Sequence, residues 1–432
     1  MSRTVYSGQD PQEQDLGYVV KATQSQGLNN GGVISFRIPA DPERFTDLNS
    51  VLLRLEVSVE KSNGEAVADE EPVCIDAEGM HALFETVTVR FNERVVSFMS
   101  AYPYTTKLCR MLGMSTSLRE GVFDTFDGSR KPSLRKSDLT TDAARNNVWI
   151  ATNMSRISGG ATLIGRVYAD VLTSAEQYLP PGIALGVDLR RAPDHFSLQS
   201  AVQQAHFRLR ISSASLYVKR HRLRPTVLAS VSDQIASGGT LNYNNLETRM
   251  MSIPKETKVF NWLNCLGSGA SLPNRLYITF IGQKSFFGSL GAASTWFEHM
   301  HLQRLGLKVG GRDILVDPIT TKFVTDANGI VVNKTNAMDG FLSVTEVMDA
   351  VRDQTAPLRL SYIDYLFGGV VYAVEFGKNG ERTGTVSGAV DIQAEFSRVD
   401  EATQVNAGTA EACLMVIFCE KSDQVNLAAA LG

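Results

Sequence analysis

Six histidines are spread along the chain, and only His299-Met300-His301 has the spacing of metal ligands. On an extended strand, residues two apart share a face, so both imidazoles could reach one ion. Glu298 adjoins the pair, but no nearby Cys or Asp completes a ligand set. His299 and His301 are therefore weak metal candidates, and an exposed or hydrogen-bonded strand pair is the plainer reading. Asp194-His195 with one of the many serines could be cast as a hydrolase triad. No Gly-x-Ser-x-Gly elbow or other nucleophile motif supports that, so His195 reads as a surface or hydrogen-bonded residue.

Gly267-Ser268-Gly269, the glycines from Gly282 to Gly291, and Gly310-Gly311 lack the Lys-Ser/Thr that ends a phosphate loop. They also open no helix, which leaves loop geometry as their account. The densest basic run is Lys219-Arg220-His221-Arg222-Leu223-Arg224. Lys219, Arg220, Arg222 and Arg224 form a possible patch for DNA or anionic lipid. The simpler reading is the solvated end of a strand before Pro225. Arg130-Lys131 and Arg135-Lys136 lie in a polar loop and read the same way. The residues point to no catalytic centre and no cofactor.

The elements that must position these groups are β-rich. Val87, Val89 and Phe91 alternate with Thr88 and Arg90, giving one dry and one wet face. Phe207, Leu209 and Ile211 alternate likewise, and Leu216 and Val218 then change parity, which predicts a bulge or bend near Ser212-Ser213. Leu276, Ile278 and Phe280 continue the pattern, as do Leu305, Leu307 and Val309. The run Cys413-Leu414-Met415-Val416-Ile417-Phe418-Cys419 is apolar at both parities, as in a strand covered on both faces. Asn63-Gly64, Asn328-Gly329 and Asn379-Gly380 are hairpin dipeptides, and Phe323-Val324 with Ile330-Val331-Val332 reads as a protruding hairpin.

Helices are few and short. Ser343-Val344-Thr345-Glu346 has the form of a capping box, with Val344, Val347, Met348 and Val351 along one face and Pro357 as the stop. In the first half, residues 105–112 place Leu108, Met111 and Leu112 on one side of a helix.

A chain of 432 residues is long for one core, and 43% hydrophobic residues suffice for two. A net charge of −4 argues against bulk coating of nucleic acid but allows a local basic face. Residues 1–28 are polar, show no signal peptide, and no segment has the apolar length of a membrane span. Cys74, Cys109, Cys265, Cys413 and Cys419 are odd in number and scattered among apolar neighbours, which reads as buried thiols and an intracellular folding compartment. Similar strand–helix–strand order in both halves, with few helices, suggests consecutive sandwiches rather than a βαβ fold.

One set of separated segments carries a resemblance. It comprises Arg191-Ala192-Pro193-Asp194-His195-Phe196-Ser197-Leu198, His206 to Lys219, Ser252-Ile253-Pro254, Leu272-Pro273-Asn274-Arg275-Leu276-Tyr277-Ile278 and Leu307-Lys308-Val309-Gly310-Gly311-Arg312. Their order and wording resemble the hexon-like major capsid proteins of adintoviruses and Polinton (Maverick) elements. Near Lys284 to Trp296 the sequence departs from that pattern. The resemblance implies an all-β protein of two consecutive eight-stranded jelly rolls with a few short helices. Residues 32–224 would form the first and 246–425 the second, with a 225–245 linker and a 426–432 tail. Residues 1–31 would form a flexible arm, with Val5, Tyr6, Tyr18, Val19 and Val20 able to anchor it in a neighbour's groove.

The resemblance further implies a homotrimer with pseudo-hexagonal outline that tiles an icosahedral shell of a dsDNA virus. Its partners would be neighbouring capsomers, penton and minor capsid proteins, with an internal membrane or packaged DNA at the inner face. The protein would be made inside the host cell and reside in the virion. The competing class is a β-sandwich that binds or processes carbohydrate. That class calls for paired carboxylates in an aromatic cleft, and none of Trp149, Trp262 and Trp296 is flanked by such a pair.

Overall fold

The computed structural model describes residues 32–65, 67, 73–113, 160–200, 207–222, 239–267, 269–325, 331–332, 334–348, 360–377, 388–398 and 406–427, and the backbone of 18–23. The first half contributes β1 (Tyr18–Thr23), β2 (Val33–Ile38), β3 (Arg44–Lys61), β4 (Val73–Ile75), β5 (Phe84–Phe91) and β6 (Arg94–Met99). It continues with β7 (Ala161–Arg166), β8 (Leu185–Arg191), β9 (Leu198–Ser200) and β10 (Phe207–Arg222). The second half contributes β11 (Thr240–Ile253), β12 (Val259–Trp262), β13 (Arg275–Gly282), β14 (Leu302–Val309) and β15 (Arg312–Asp313). There follow β16 (Ile319–Thr320), β17 (Tyr372–Glu375), β18 (Val390–Phe396) and β19 (Cys413–Asn426). Short helices among the described residues are α1 (Tyr102–Gly113), α2 (Asp170–Ser174), α3 (Asp194–Ser197), α4 (Gln283–Phe287), α5 (Met338–Val347) and α6 (Tyr362–Leu366).

Each half is a sandwich of two antiparallel sheets. In the first, β1-β10-β3-β7 faces β2-β8-β5-β6. In the second, β11-β19-β13-β17 faces β12-β18-β14-β15, with β16 added on β14. Alternation sets the packing: Val87, Val89 and Phe91 of β5 are buried against Leu53, Leu55 and Val57 of β3 in one core. Leu305 and Leu307 of β14 and Ile392, Ala394 and Phe396 of β18 meet Met415 and Ile417 of β19 in the other.

The parity change in β10 is a bulge: its register against β3 slips between Ile211 and Ser213. A second slip lies between Tyr217 and Lys219, where the Lys219 amide donates to Ser50 Oγ at 2.8 Å. The Cys413–Cys419 run is buried at both parities except for Leu414. For β13 the expected alternation is corrected, because Tyr277, Thr279 and Ile281 are as buried as Leu276, Ile278 and Phe280. Met348 and Val370 lie on that face: Tyr277 Oη lies 3.9 Å from Met348 Sδ, and Thr279 Oγ1 donates to Val370 O at 2.6 Å.

Other expectations shift for local reasons. Ser343 does not cap a helix; it lies inside α5, where its Oγ donates to Gly340 O at 2.7 Å and accepts from the Ala373 amide at 3.2 Å. The backbone of Tyr18–Thr23, within the expected arm, pairs with β10 of its own chain. β11 begins at Thr240, inside the expected linker, and β19 runs to Asn426, the first residue of the expected tail. The strand ends at Thr325 and Val331 bridge as a hairpin would, while the Asn328-Gly329 turn lies outside the described residues. So do the Asn379-Gly380 turn, Pro357, the 130–136 basic loop and Arg224.

Candidate functional site

The buried polar chemistry of this chain gathers where the two sandwiches meet. The helix α1 follows the first-half strand β6, yet its apolar residues Tyr104, Leu108, Met111 and Leu112 are packed in the second core. Ala192 and Phe196 join it there. In return, Leu241 and Tyr243 of β11 and Val425 and Leu427 at the end of β19 are packed in the first core. Each half therefore completes the other's interior.

A clasp centred on Asp76 sits beside α1. This aspartate is fully buried, and four donors converge on its carboxylate. Gln199 Nε2 at 2.9 Å and the Glu78 amide at 3.2 Å come from its own half. The Ser294 amide at 3.1 Å and the Thr295 hydroxyl come from the other half. Burial pushes the carboxyl up; the Thr295 hydroxyl and the Glu78 amide pull it down, the Glu78 charge adds to the rise, and Lys107 works against it. Lys107 Nζ donates to Thr295 O and lies 4.7 Å above the Phe297 ring, and Tyr104 Oη donates to Ser294 O at 3.2 Å. Arg110 pairs with Glu78 at 3.0 Å. Tyr104 and Lys107 of α1 thus grip the segment at Ser294-Thr295.

A second contact is a seam along β11, an edge strand of its sheet. Alternate residues of that edge are met by α2 and the chain after it. The Glu176 amide donates to Asn242 O at 3.2 Å, the Asn244 amide to Ser174 Oγ at 2.8 Å, and the Leu246 amide to the Asp170 carboxyl. Main-chain groups that a bare edge would offer to another strand are thus used inside the molecule. Tyr243 Oη lies 3.0 Å from both Val96 O of β6 and Asp423 Oδ2 of β19. A third contact joins α3 to the end of α4, where His195 Nε2 lies 3.1 Å from Phe287 O. Gly288 has φ of 83°, and a Cβ there would stand 2.8 Å from the Phe196 Cα.

The sequence-predicted residues fall at and away from this junction. His195 belongs to its third contact, and Asp194 pairs with the buried Arg191 at 3.3 Å. His299 and His301 do not share a strand face: Met300 and His301 have φ of 46° and 53°, so the pair forms a tight turn just before β14. The His301 amide donates to His299 Nδ1 at 2.9 Å, which leaves the proton on Nε2, 3.3 Å from Glu298 Oε1. His301 Nδ1 lies 3.3 Å from Phe323 O, and burial holds its imidazole below the usual range. Among the described residues no three His, Cys, Asp or Glu side chains group as a metal set.

The basic run is divided. Arg220 is buried, donates to Pro39 O and lies 3.5 Å from Asp41 Oδ2. Burial works to raise the Asp41 carboxyl, but the Glu43 amide, Arg220 and Arg44 outweigh it and hold it low. Arg222 pairs with Glu43 at 3.0 Å in solvent, His221 stacks on Tyr178 at 5.2 Å, and Lys219 is exposed. Arg220 thus ties β10 to the 39–44 loop. Sequence reasoning missed Asp76, Asp170, Gln199 and Thr295. The available signal was a single carboxylate in the apolar run Val73-Cys74-Ile75-Asp76-Ala77, since a lone buried charge needs partners.

The sequence matches no protein-family model and no curated protein. The fold does have likenesses. A chain of the Sputnik virophage structure matches with a TM-score of 0.56 at 12% identity, over 100% of this chain and 91% of that one. The Faustovirus major capsid protein matches at 0.54 and 9% identity, over 98% and 93%. A chain of the PBCV-1 virus capsid matches at 0.54 and 11% identity, over 96% and 95%. The architecture is the double jelly roll, the fold of these viral shell proteins. The likeness covers both sandwiches.

Proposed function

We propose that the chain is a structural viral major capsid protein, a hexon whose trimers tile an icosahedral shell. The observation that carries the reading is the fold match, which covers nearly all of this chain and of a PBCV-1 virus capsid chain and the Faustovirus major capsid protein. The junction supports it mechanically. Two sandwiches with exchanged core residues and a buried carboxylate clasp make one stiff body with two similar outer ends. Three such bodies present six similar ends, the geometry of a pseudo-hexagonal capsomer.

On this reading the protein is not an enzyme, and its site is shape. Partners are two further copies of the chain, then neighbouring capsomers, penton and minor capsid proteins. The sequence resemblance supports a lineage of the adintovirus and Polinton (Maverick) type. Solution mass tests the proposal directly. Light scattering should give three times 47.2 kDa, and negative-stain images should show hexagonal outlines. A monomer with affinity on a glycan array would overturn it in favour of a carbohydrate-binding sandwich.

A further inference from the structure

The β11 seam contains a carboxyl group that the clasp logic does not explain. Asp170 opens α2 and is 7% exposed, and its partners are the Leu246 amide and Ser97 Oγ at 3.4 Å. A carboxylate accepting one amide and one long hydroxyl contact is poorly satisfied when buried, whereas a neutral acid could donate to Ser97 Oγ and still accept from Leu246.

Its surroundings come from every element packed on α2. From β6 comes Ser97, and α1 brings Cys109, whose thiol burial pushes up to about 12. At the end of β7, Arg166 donates to Asn49 Oδ1 at 3.0 Å and to the Leu172 and Thr173 carbonyls at 3.4 and 3.5 Å. From β3 come Asn49 and Asp47, whose carboxylate takes the Asn49 amide at 3.0 Å. From β11 come Tyr243 and Glu247, the latter bonded to Arg249 at 2.7 Å and Lys421 at 3.1 Å. From β19 come Glu420, which accepts from Tyr277 Oη at 3.1 Å, and Asp423 at the mouth of the seam. The charge acting on Asp170 is that of Asp423, which has the same sign.

We propose that this seam is a proton-operated joint: neutral Asp170 clamps α2 of the first sandwich onto β11 of the second, and its ionisation loosens the pair there. Burial pushes the Asp170 carboxyl up to about 7, with Asp423 adding to the rise against the Leu246 amide and Ser97. In the unfolded chain the group returns to an ordinary value of 3.8. Between the two, the folded protein holds a proton that the unfolded chain has released. Stability from this site is therefore fully present below the unfolded value and is lost as pH rises through about 7. The inference does not depend on what the assembled protein does.

The test is the thermal midpoint of the full chain from pH 6 to 8.5, with amide exchange read at Leu246. The wild type should lose about 1–2 °C across that range. Leu246 exchange, corrected for its intrinsic rate, should rise about tenfold or more. Asp170→Asn keeps an acceptor for Leu246 and a donor for Ser97, so it should flatten both profiles and melt higher than wild type at pH 8.5. A flat wild-type profile, or an Asp170→Asn profile with the wild-type slope, overturns the proposal. If Asp170→Asn does not fold, Asp423→Asn should move the loss to higher pH, and an unmoved profile overturns it.

Discussion

Asp76 and Asp170 are both carboxyl groups buried between the sandwiches, and they do opposite things. Asp76 receives two donors from each half, with Glu78 and Lys107 as charged neighbours of opposite sign. Asp170 receives an amide and a long hydroxyl contact, with another carboxylate as its charged neighbour. Burial raises both groups. What separates them is the number of donors present to hold a charge. The same residue type is thus a fixed clasp at one end of the junction and a titratable latch at the other.

Removing the well-held carboxylate is the largest perturbation. Asp76→Ala leaves Gln199, the Ser294 amide and the Thr295 hydroxyl short of a buried acceptor and should cost about 3–5 kcal/mol in urea unfolding. A loss below about 1 kcal/mol would put Asp76 on a par with a surface residue. Thr295→Val keeps the shape and deletes one donor from the far half, for which we expect about 1–2 kcal/mol by the same measurement. Ser97→Ala should be the mildest. The Ser97–Asp170 contact is 3.4 Å long, so its loss should cost under about 1 kcal/mol at pH 6. A larger effect there would mean that Asp170 is held as firmly as Asp76.

The sandwiches were legible because a period of two writes burial directly into the sequence. Val87, Val89 and Phe91 are fully buried, and the parity break at Ser212 is a bulge. The junction was legible only in part. The helical stripe of Leu108, Met111 and Leu112 announces an apolar face but cannot say which core receives it. Asp76 and Thr295 lie far apart in sequence, and nothing local links a carboxylate to a hydroxyl that approaches only after both sandwiches form. His299 and His301 show the reverse failure. Their spacing was correct for a shared face, but positive φ at Met300 and His301 turns the chain away from the strand geometry that the argument required.

The placement of α1 also bears on how the chain is made. It is synthesised with the first sandwich, but the surface that covers Tyr104, Leu108, Met111 and Leu112 comes from residues translated much later. A nascent first half must therefore carry an unshielded greasy helix until the strands from β13 to β19 have left the ribosome. Such a segment is a natural client for chaperones and a route to mispairing between chains in a crowded host cell. It also means that the two halves are poor candidates for separate expression or for recombination at the linker. A cut there would leave each product with part of its interior on the other molecule.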